Sequence, residues 1–300
     1  MDSLGDMDAS IGLVGLGVMG SAISALLLDG GAQVWGCDVA GTRRAQLRAA
    51  GGHIAGSPAE VAARCPVVLT SLPTAAAFHD VIAGPQGLTS ARAKAFVIEL
   101  STLSLADKEQ GRLRLAATGS ALVDAPLSGT GAQARTGDVV AFVSADQPAD
   151  RIRAMAVLSR FTRAQYDVGG FGNGSKFKYV ANLLVAIHNV AAAEALVLAE
   201  QAGLDTDLVL AAVASGAGGS RMLDIRGPLM TGRAYDDATV RLEVFLKDIQ
   251  LISEFAGDVG APTPLLSASR NVYQSALAEG RSGQDTACVA EVLRGEAAGS

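Results

Sequence analysis

The spacing of apolar residues changes along the chain and separates it into two regions. Up to about residue 168, short apolar runs alternate with segments of helical periodicity. This alternation is typical of a parallel sheet with helices on both faces. From about residue 175 the apolar residues follow a period of 3.6 to the end of the chain, as in packed helices. The pattern predicts an α/β protein with a Rossmann-type doubly wound sheet at residues 10–168 and an all-α C-terminal domain at residues 169–300.

Individual elements follow from the same pattern. Strands are predicted at 11–14, 33–37, 53–54, 67–72, 95–100, 121–126 and 139–143. Helices are predicted at 21–29, 43–50, 58–64, 76–82, 175–202, 205–215, 240–259, 264–279 and 285–294. The segment Ser220–Met222 follows two glycines and is predicted as a loop that could reach a substrate.

Composition narrows the class of protein. Hydrophobic residues make up 49% of the 300 residues and charged residues 18%, as in a folded protein with a large core. The net charge of −6 gives no electrostatic basis for a nucleic-acid partner. The three cysteines are far apart, which indicates neither a metal site nor a disulfide framework and fits a cytoplasmic location. Acidic rather than basic residues precede the apolar run 11–28, so we expect neither a signal peptide nor a membrane span there.

A glycine-rich turn follows the first predicted strand. Gly15 allows a tight turn, Gly17 lets the backbone approach a pyrophosphate, and Gly20 lets helix and strand pack closely. The N–H groups at the start of the next helix would face the phosphates. The turn therefore predicts a dinucleotide site whose contacts are Gly15, Leu16, Gly17, Val18, Met19 and Gly20.

An acidic residue ends the second predicted strand. Asp38 lies eighteen residues beyond Gly20, close to the spacing of a ribose-binding carboxylate. Such a carboxylate accepts hydrogen bonds from the adenosine ribose and would repel a 2′-phosphate, which favours NAD over NADP. Thr42, Arg43 and Arg44 follow closely and could form a phosphate pocket, although a solvated first helical turn is the preferred interpretation.

A lysine and an asparagine stand four residues apart at the start of the long predicted helix. Residues at i and i+4 share a helix face, so Lys178 and Asn182 would project into one small volume. Lys176 points to a different face and is predicted to be exposed. Desolvation and a neighbouring cation such as Lys247 would lower the pKa of a lysine amine toward the operating pH. Lys178 could then exchange a proton with a substrate hydroxyl that Asn182 orients.

These residues resemble a known family, the β-hydroxyacid dehydrogenases, which include 3-hydroxyisobutyrate dehydrogenase, tartronate semialdehyde reductase and L-threonate dehydrogenase. The resemblance runs from about Ile11 to Leu293. Six blocks carry it, in the family's order: Gly15–Gly20, Leu72-Pro73, Glu99–Thr102, Asp124–Gly131, Gly172-x-Gly174-x-x-x-Lys178-x-x-x-Asn182, and Phe245–Asp248.

The resemblance implies a role for each matching position. Lys178 would be the catalytic lysine and Asn182 its hydrogen-bonding companion. The loop of Ser128, Gly129 and Thr130 would bind the substrate carboxylate. The implied cofactor contacts at the strand ends and beside the nicotinamide are Leu72, Pro73, Thr102 and Lys247. Thr130 departs from the family pattern because it replaces a glycine, and its added hydroxyl leans toward a polyhydroxylated substrate.

The predicted function is NAD-dependent hydride transfer between the cofactor and a small 3-hydroxy carboxylic acid. 3-Hydroxyisobutyrate, a threonate-like sugar acid and the glycerate/tartronate semialdehyde pair all fit. Two alternatives stay open: a dinucleotide-binding module without catalysis, and an imine reductase of the same architecture. The long apolar helix further predicts a homodimer or homotetramer. No membrane, nucleic-acid or metal partner is expected.

Overall fold

Six short strands form one parallel sheet in the order β3-β2-β1-β4-β5-β6. The computed structural model describes residues 10–298. The order changes direction between β1 and β4, so the loops that follow these strands diverge and leave a crevice at their carboxyl ends. This topology confirms the predicted Rossmann-type sheet. The strands are β1 (Ile11–Val14), β2 (Val34–Cys37), β3 (His53–Ile54), β4 (Val67–Thr70), β5 (Phe96–Glu99) and β6 (Ala121–Asp124).

The sheet is buried on both faces. Alternate side chains of a strand point to opposite faces, and Leu69 accordingly belongs to one hydrophobic cluster and Val68 to another. Helices cover the sheet, and several begin at a side chain that accepts a backbone N–H, such as Ser57, Thr74 and Ser104. The helices of this region are α1 (Val18–Asp29), α2 (Gly41–Ala49), α3 (Pro58–Arg64), α4 (Ala75–Ala83), α5 (Leu105–Ala116), α6 (Gly131–Ala134) and α7 (Pro148–Leu158).

A second, three-stranded sheet lies beyond β6. Its strands are β7 (Leu127–Ser128), β8 (Val140–Val143) and β9 (Ala164–Asp167). β8 pairs antiparallel with β7 and parallel with β9. The predicted strand at 139–143 therefore exists but belongs to this small sheet instead of extending the large one. Neither β7 nor β9 was predicted, and the residues of β9, Ala-Gln-Tyr-Asp, lack an apolar run.

The rest of the chain is helical, which confirms the predicted all-α C-terminal part. Its helices are α8 (Asn173–Gln201), α9 (Thr206–Ala214), α10 (Arg221–Thr231), α11 (Leu242–Asp258), α12 (Pro264–Ala278) and α13 (Val289–Ala298), with a 3-10 turn at Thr286–Cys288. The predicted loop at Ser220–Met222 is wrong, because Ser220 caps α10 by accepting the N–H of Leu223. Pro228 lies inside α10, where proline is unfavourable, so the sequence pattern does not predict this helix.

Residue contacts divide the chain into two compact units, one ending at Lys178 and the other beginning at Tyr179. The division falls within α8, whereas the predicted domain boundary at residue 168 stays a prediction. α8 is also long and apolar enough to cross a membrane by length and composition alone, with a mean hydropathy of 1.7. Core helices of globular proteins meet the same criterion.

Candidate active site

The glycine-rich turn is built as a phosphate-binding turn requires. Gly15 has a φ of +93°, and a Cβ there would lie 2.1 Å from the carbonyl oxygen of Ser71. A Cβ at Gly20 would lie 2.0 Å from the carbonyl oxygen of Gly15, so only glycine lets α1 pack this closely on the turn. Beside Gly17 there is open space. The N–H of Ser21 donates to the carbonyl oxygen of Gly17. The N–H groups that precede it in α1 have no acceptor inside the helix, as at any helix N-terminus, and can bind phosphate oxygens.

Asp38 follows β2 and is tied to the same turn. Its Oδ2 accepts the N–H of Leu16 at 2.6 Å, and its Oδ1 accepts the N–H of Ala40 at 2.7 Å. A carboxylate has about four lone-pair sites, so Asp38 keeps capacity for ribose hydroxyls. The guanidinium of Arg44 donates to the carbonyl oxygens of Asp38 and Val39. Arg44 therefore supports the loop after β2, and the interpretation of Thr42, Arg43 and Arg44 as a solvated helical turn stays a prediction.

The loops after β4 and β5 are linked at the same edge of the sheet. The N–H of Leu72 donates to Oγ of Ser101 at 2.7 Å, and the N–H of Ser101 donates to the buried carboxyl of Glu99 at 2.6 Å. Thr70 also donates its hydroxyl to Glu99. Burial raises the pKa of Glu99, and the opposing charge of Lys108 does not cancel this effect. Leu72, Pro73 and Thr102 thus lie on neighbouring loops, as the resemblance implies.

The loop from Ser128 to Thr130 follows β7. Ser128 is half-buried and Gly129 is exposed, with a φ of +147° that favours glycine. The side chain of Thr130 caps α6 by accepting the N–H of Gln133, and its role in binding the substrate carboxylate stays a prediction. Oε1 of Gln133 in turn accepts the N–H of Thr130 at 3.0 Å, which completes a capping box. The N–H of Thr130 is therefore engaged within the loop, whereas its hydroxyl accepts a hydrogen bond there and keeps its own hydrogen to donate.

Lys178 and Asn182 lie on successive turns of α8. Lys178 is 8% exposed and Asn182 is 4% exposed, so both are buried, whereas Lys176 is exposed as predicted. The side-chain amide of Asn182 donates to Oδ2 of Asp248 at 2.9 Å. Asp248 also lies 3.1 Å from the amine of Lys247, so the charge of Lys247 is offset by its neighbour. The contact with Asn182 gives Asp248 an orienting position.

The candidate residues fall into two groups. The first unit contains the candidates that follow strands of the large sheet or of the adjoining small sheet. They are the glycine turn, Asp38, Leu72, Pro73, Thr102 and the Ser128 loop. In the second unit, Asn182 and Lys247 meet at Asp248. Within residues 10–298 there is no group of three or more His, Cys, Asp or Glu that could hold a metal ion.

The parallel sheet, its glycine-rich turn and the acid at the end of β2 define a dinucleotide-binding oxidoreductase. Two family models match the chain. The NAD binding domain of 6-phosphogluconate dehydrogenase matches residues 10–170, and the model described as NAD-binding of NADP-dependent 3-hydroxyisobutyrate dehydrogenase matches residues 172–293. The chain belongs to the β-hydroxyacid dehydrogenase family and is an NAD(P)-dependent 3-hydroxyacid dehydrogenase.

Individual relatives agree along the whole chain. An L-threonate dehydrogenase of Cupriavidus necator is 32% identical over 291 residues, which cover 96% of this chain and 97% of that protein. A glyoxylate/succinic semialdehyde reductase of Arabidopsis thaliana is 29% identical over 300 residues, which cover 98% of this chain and 81% of that protein. The crystal structure of a 3-hydroxyisobutyrate dehydrogenase from Salmonella typhimurium has a TM-score of 0.86 at 30% identity and covers 95% of this chain and 100% of that one.

Proposed function

We propose that this protein oxidises a small 3-hydroxy carboxylic acid with NAD, with Lys178 as the general acid/base and Asn182 as its hydrogen-bonding companion. The observation that carries the proposal is the burial of Lys178, at 8% exposure, one helical turn from an asparagine whose amide is held by Asp248. A surface lysine would keep its amine in water. A buried amine beside a fixed amide is an arrangement that can exchange a proton with a substrate hydroxyl.

Each group then has one task in the reaction. A nicotinamide dinucleotide held by the glycine turn and Asp38 would supply the acceptor for the hydride that leaves the carbinol carbon. The neutral amine of Lys178 takes the hydroxyl proton in the oxidative direction, and the ammonium returns it in the reductive direction. Asn182 orients the hydroxyl, because its own amide is fixed through Asp248. Ser128 and Gly129 would bind the substrate carboxylate, and Thr130 supports that loop through its capping box.

The residues present fit a nicotinamide dinucleotide. The open space beside Gly17 and the first N–H groups of α1 would hold the pyrophosphate, and Asp38 would accept the ribose hydroxyls. The negative charge of Asp38 favours NAD over NADP. Leu72, Pro73, Thr102 and Lys247 are the further proposed cofactor contacts. A cytoplasmic location agrees with a metabolic dehydrogenase whose cysteines, Cys37, Cys65 and Cys288, are all free thiols.

The proposed assembly is a homodimer or homotetramer. Apolar side chains at helical spacing are exposed along α8: Phe177 is 50% exposed, Val180 61%, Leu184 47% and Leu198 72%. Exposed apolar side chains on one helix are typical of an interaction surface. Sedimentation velocity of the wild type and of Val180→Glu tests the assembly, and a monomeric wild type would contradict it.

The function is tested by NAD-dependent oxidation of a panel containing 3-hydroxyisobutyrate, L-threonate, glycerate and a cyclic amine, with Lys178→Ala beside the wild type. We expect turnover of at least one hydroxy acid, and a loss of kcat of about a hundredfold or more in the variant. Turnover of the amine alone would indicate an imine reductase. Cofactor binding without any turnover would indicate a non-catalytic module.

A further inference from the structure

A buried ionic cluster lies beneath the first turn of α8. The side chains of Lys108 and Asp124 are both 0% exposed, and the Lys108 amine lies 2.7 Å from Oδ1 of Asp124. The same amine donates to the carbonyl oxygen of Ser101 at 2.7 Å. A buried ion pair costs desolvation that its attraction repays only with good geometry and further hydrogen bonds. Stability alone therefore does not explain why these two charges are buried. The other contacts of the cluster indicate a further role.

The carboxylate of Asp124 holds the start of α8. Its Oδ2 accepts the backbone N–H of Ser175 at 2.8 Å, and its Oδ1 accepts the Ser175 hydroxyl at 2.9 Å. The hydroxyl of Ser144 adds a third contact at 3.1 Å. A carboxylate at a helix N-terminus satisfies N–H groups that have no partner inside the helix and complements the helix dipole. Asp124, at the end of β6, therefore caps α8 although it precedes Ser175 by 51 residues.

The backbone of α8 is also seated directly on neighbouring strands. The N–H of Gly174 donates to Oγ of Ser144 at 2.9 Å. A Cβ at Gly174 would lie 2.4 Å from the carbonyl oxygen of Phe142 and 2.8 Å from that of Asp124. Only glycine permits this approach, so the first turn of α8 cannot shift without disturbing β6 and β8.

The anchored turn leads directly to Lys178. Lys178 follows Ser175 by three residues, which places it about 4.5 Å further along the helix and near the same face. A displacement of the turn would therefore displace the base of the Lys178 side chain. Misplacement of a reacting group by about 1 Å can cost about a hundredfold in rate.

We propose that Asp124, held in place by Lys108, is a positioning residue that fixes the first turn of α8 and through it the amine of Lys178. The proposal rests on the assignment of Lys178 as the general acid/base. Lys108 keeps the buried carboxylate compensated, and Asp124 delivers its hydrogen bonds to Ser175. Lys108 also donates to the carbonyl oxygen of Ser101, which adjoins the proposed cofactor contact Thr102, so the effect of Asp124 is judged between variants that both lack Lys108.

Two double variants separate position from stability. Lys108→Met/Asp124→Asn removes both buried charges but keeps an acceptor for the Ser175 N–H. Lys108→Met/Asp124→Ala removes both charges and the acceptor. We expect kcat of the second to be lower than kcat of the first by about ten- to a hundredfold, with the Kd for NAD equal within about twofold between the two variants. Lys176→Met, an exposed lysine on the same turn, is the matched control and should leave kcat unchanged.

Hydrogen exchange gives a readout that needs no substrate. Amides of residues 173–178 should exchange faster in Lys108→Met/Asp124→Ala than in the Asn-containing variant or the control. Equal kcat in the two double variants, or unchanged exchange at 173–178, would overturn the proposal. If no hydroxy acid is turned over by the wild type, the proposed function fails while the exchange result still decides whether Asp124 anchors α8. Ser144→Ala, a milder change that removes the Gly174 contact, replaces the Ala variant if that protein does not fold.

Discussion

The side-chain amide of Asn182 donates to the carboxylate of Asp248 at 2.9 Å, and both groups are buried. This bond joins α8 to α11 and determines which end of the amide is directed away from Asp248. Because a buried amide with a charged partner does not rotate freely, Asn182 presents a fixed hydrogen-bonding pattern. The same carboxylate faces the amine of Lys247 at 3.1 Å, so one acid orders two candidate site residues.

Asp248→Asn should lower kcat by about tenfold or more, since a hydrogen bond to a charged group contributes about 1.5–3 kcal/mol. The new amide can donate to Asn182 and turn its amide around. Steady-state kinetics with the best substrate measure the effect. Glu254→Gln, on the exposed side of α11, is the control and should behave as wild type. An unchanged kcat in Asp248→Asn would mean that the orientation of Asn182 is set by other contacts.

Thr130→Val should reduce stability more than it changes substrate selectivity. The Thr130 hydroxyl caps α6, and loss of such a cap costs about 0.5–2 kcal/mol. We expect a lower Tm and an unchanged ratio of kcat/KM between threonate and 3-hydroxyisobutyrate. Thr136→Val, an exposed threonine in the same segment, serves as the control. A selective loss of activity toward threonate would instead support the earlier expectation that this hydroxyl contacts a polyhydroxylated substrate.

The two interpretations of Thr130 show where reasoning from the sequence reaches its limit. The six strands of the large sheet could be predicted within two residues at each end, because five of them are short, mainly apolar runs between turn residues. The roles of polar residues could not be predicted in the same way. Gln133 lies three residues after Thr130, which is the spacing of a capping box. The sequence therefore contained an indication of this cap, but the family pattern favoured a role in substrate binding.

The anchor of α8 had no comparable signal. Lys108 lies in the charged segment Asp107-Lys108-Glu109, where a lysine is expected to be solvated, and α5 itself was not predicted. Its burial results from the packing of α5 on the sheet, which brings the amine to Asp124 over sixteen residues of sequence. Contacts of this kind depend on tertiary structure and cannot be predicted from the periodicity of apolar residues. Asp124 begins the family block Asp124–Gly131, but that block predicted the substrate loop and not a contact with α8.

Asp38→Asn should weaken NAD binding and shift preference toward NADP. The variant keeps an acceptor for the Leu16 N–H, so the glycine turn should hold its conformation, while the charge that repels a 2′-phosphate is gone. Loss of a charged acceptor corresponds to about ten- to a hundredfold in the Kd for NAD. Titrations with both cofactors measure the ratio, and Asp29→Asn, exposed at the end of α1, is the control. A constant NAD to NADP ratio would exclude Asp38 as the determinant.

Glu99→Gln should become more stable relative to wild type as the pH rises. Burial raises the pKa of Glu99 above its ordinary value of 4.5, so the folded protein retains a proton that the unfolded chain releases. The contribution of Glu99 to stability is therefore complete below pH 4.5 and is lost as the pH rises through the folded pKa. A glutamine keeps the shape, can accept the N–H of Ser101 and does not titrate. The difference in Tm between variant and wild type, measured from pH 5 to pH 9, should therefore grow in favour of the variant. Glu109→Gln is the control, because the Arg112 hydrogen bond lowers the pKa of that partly exposed carboxyl, which is then ionised in both states from pH 5 to pH 9 and gives a flat difference. A Tm difference for Glu99→Gln that is flat with pH would show that Glu99 is ionised in the folded protein throughout this range and that the Lys108 charge outweighs its burial.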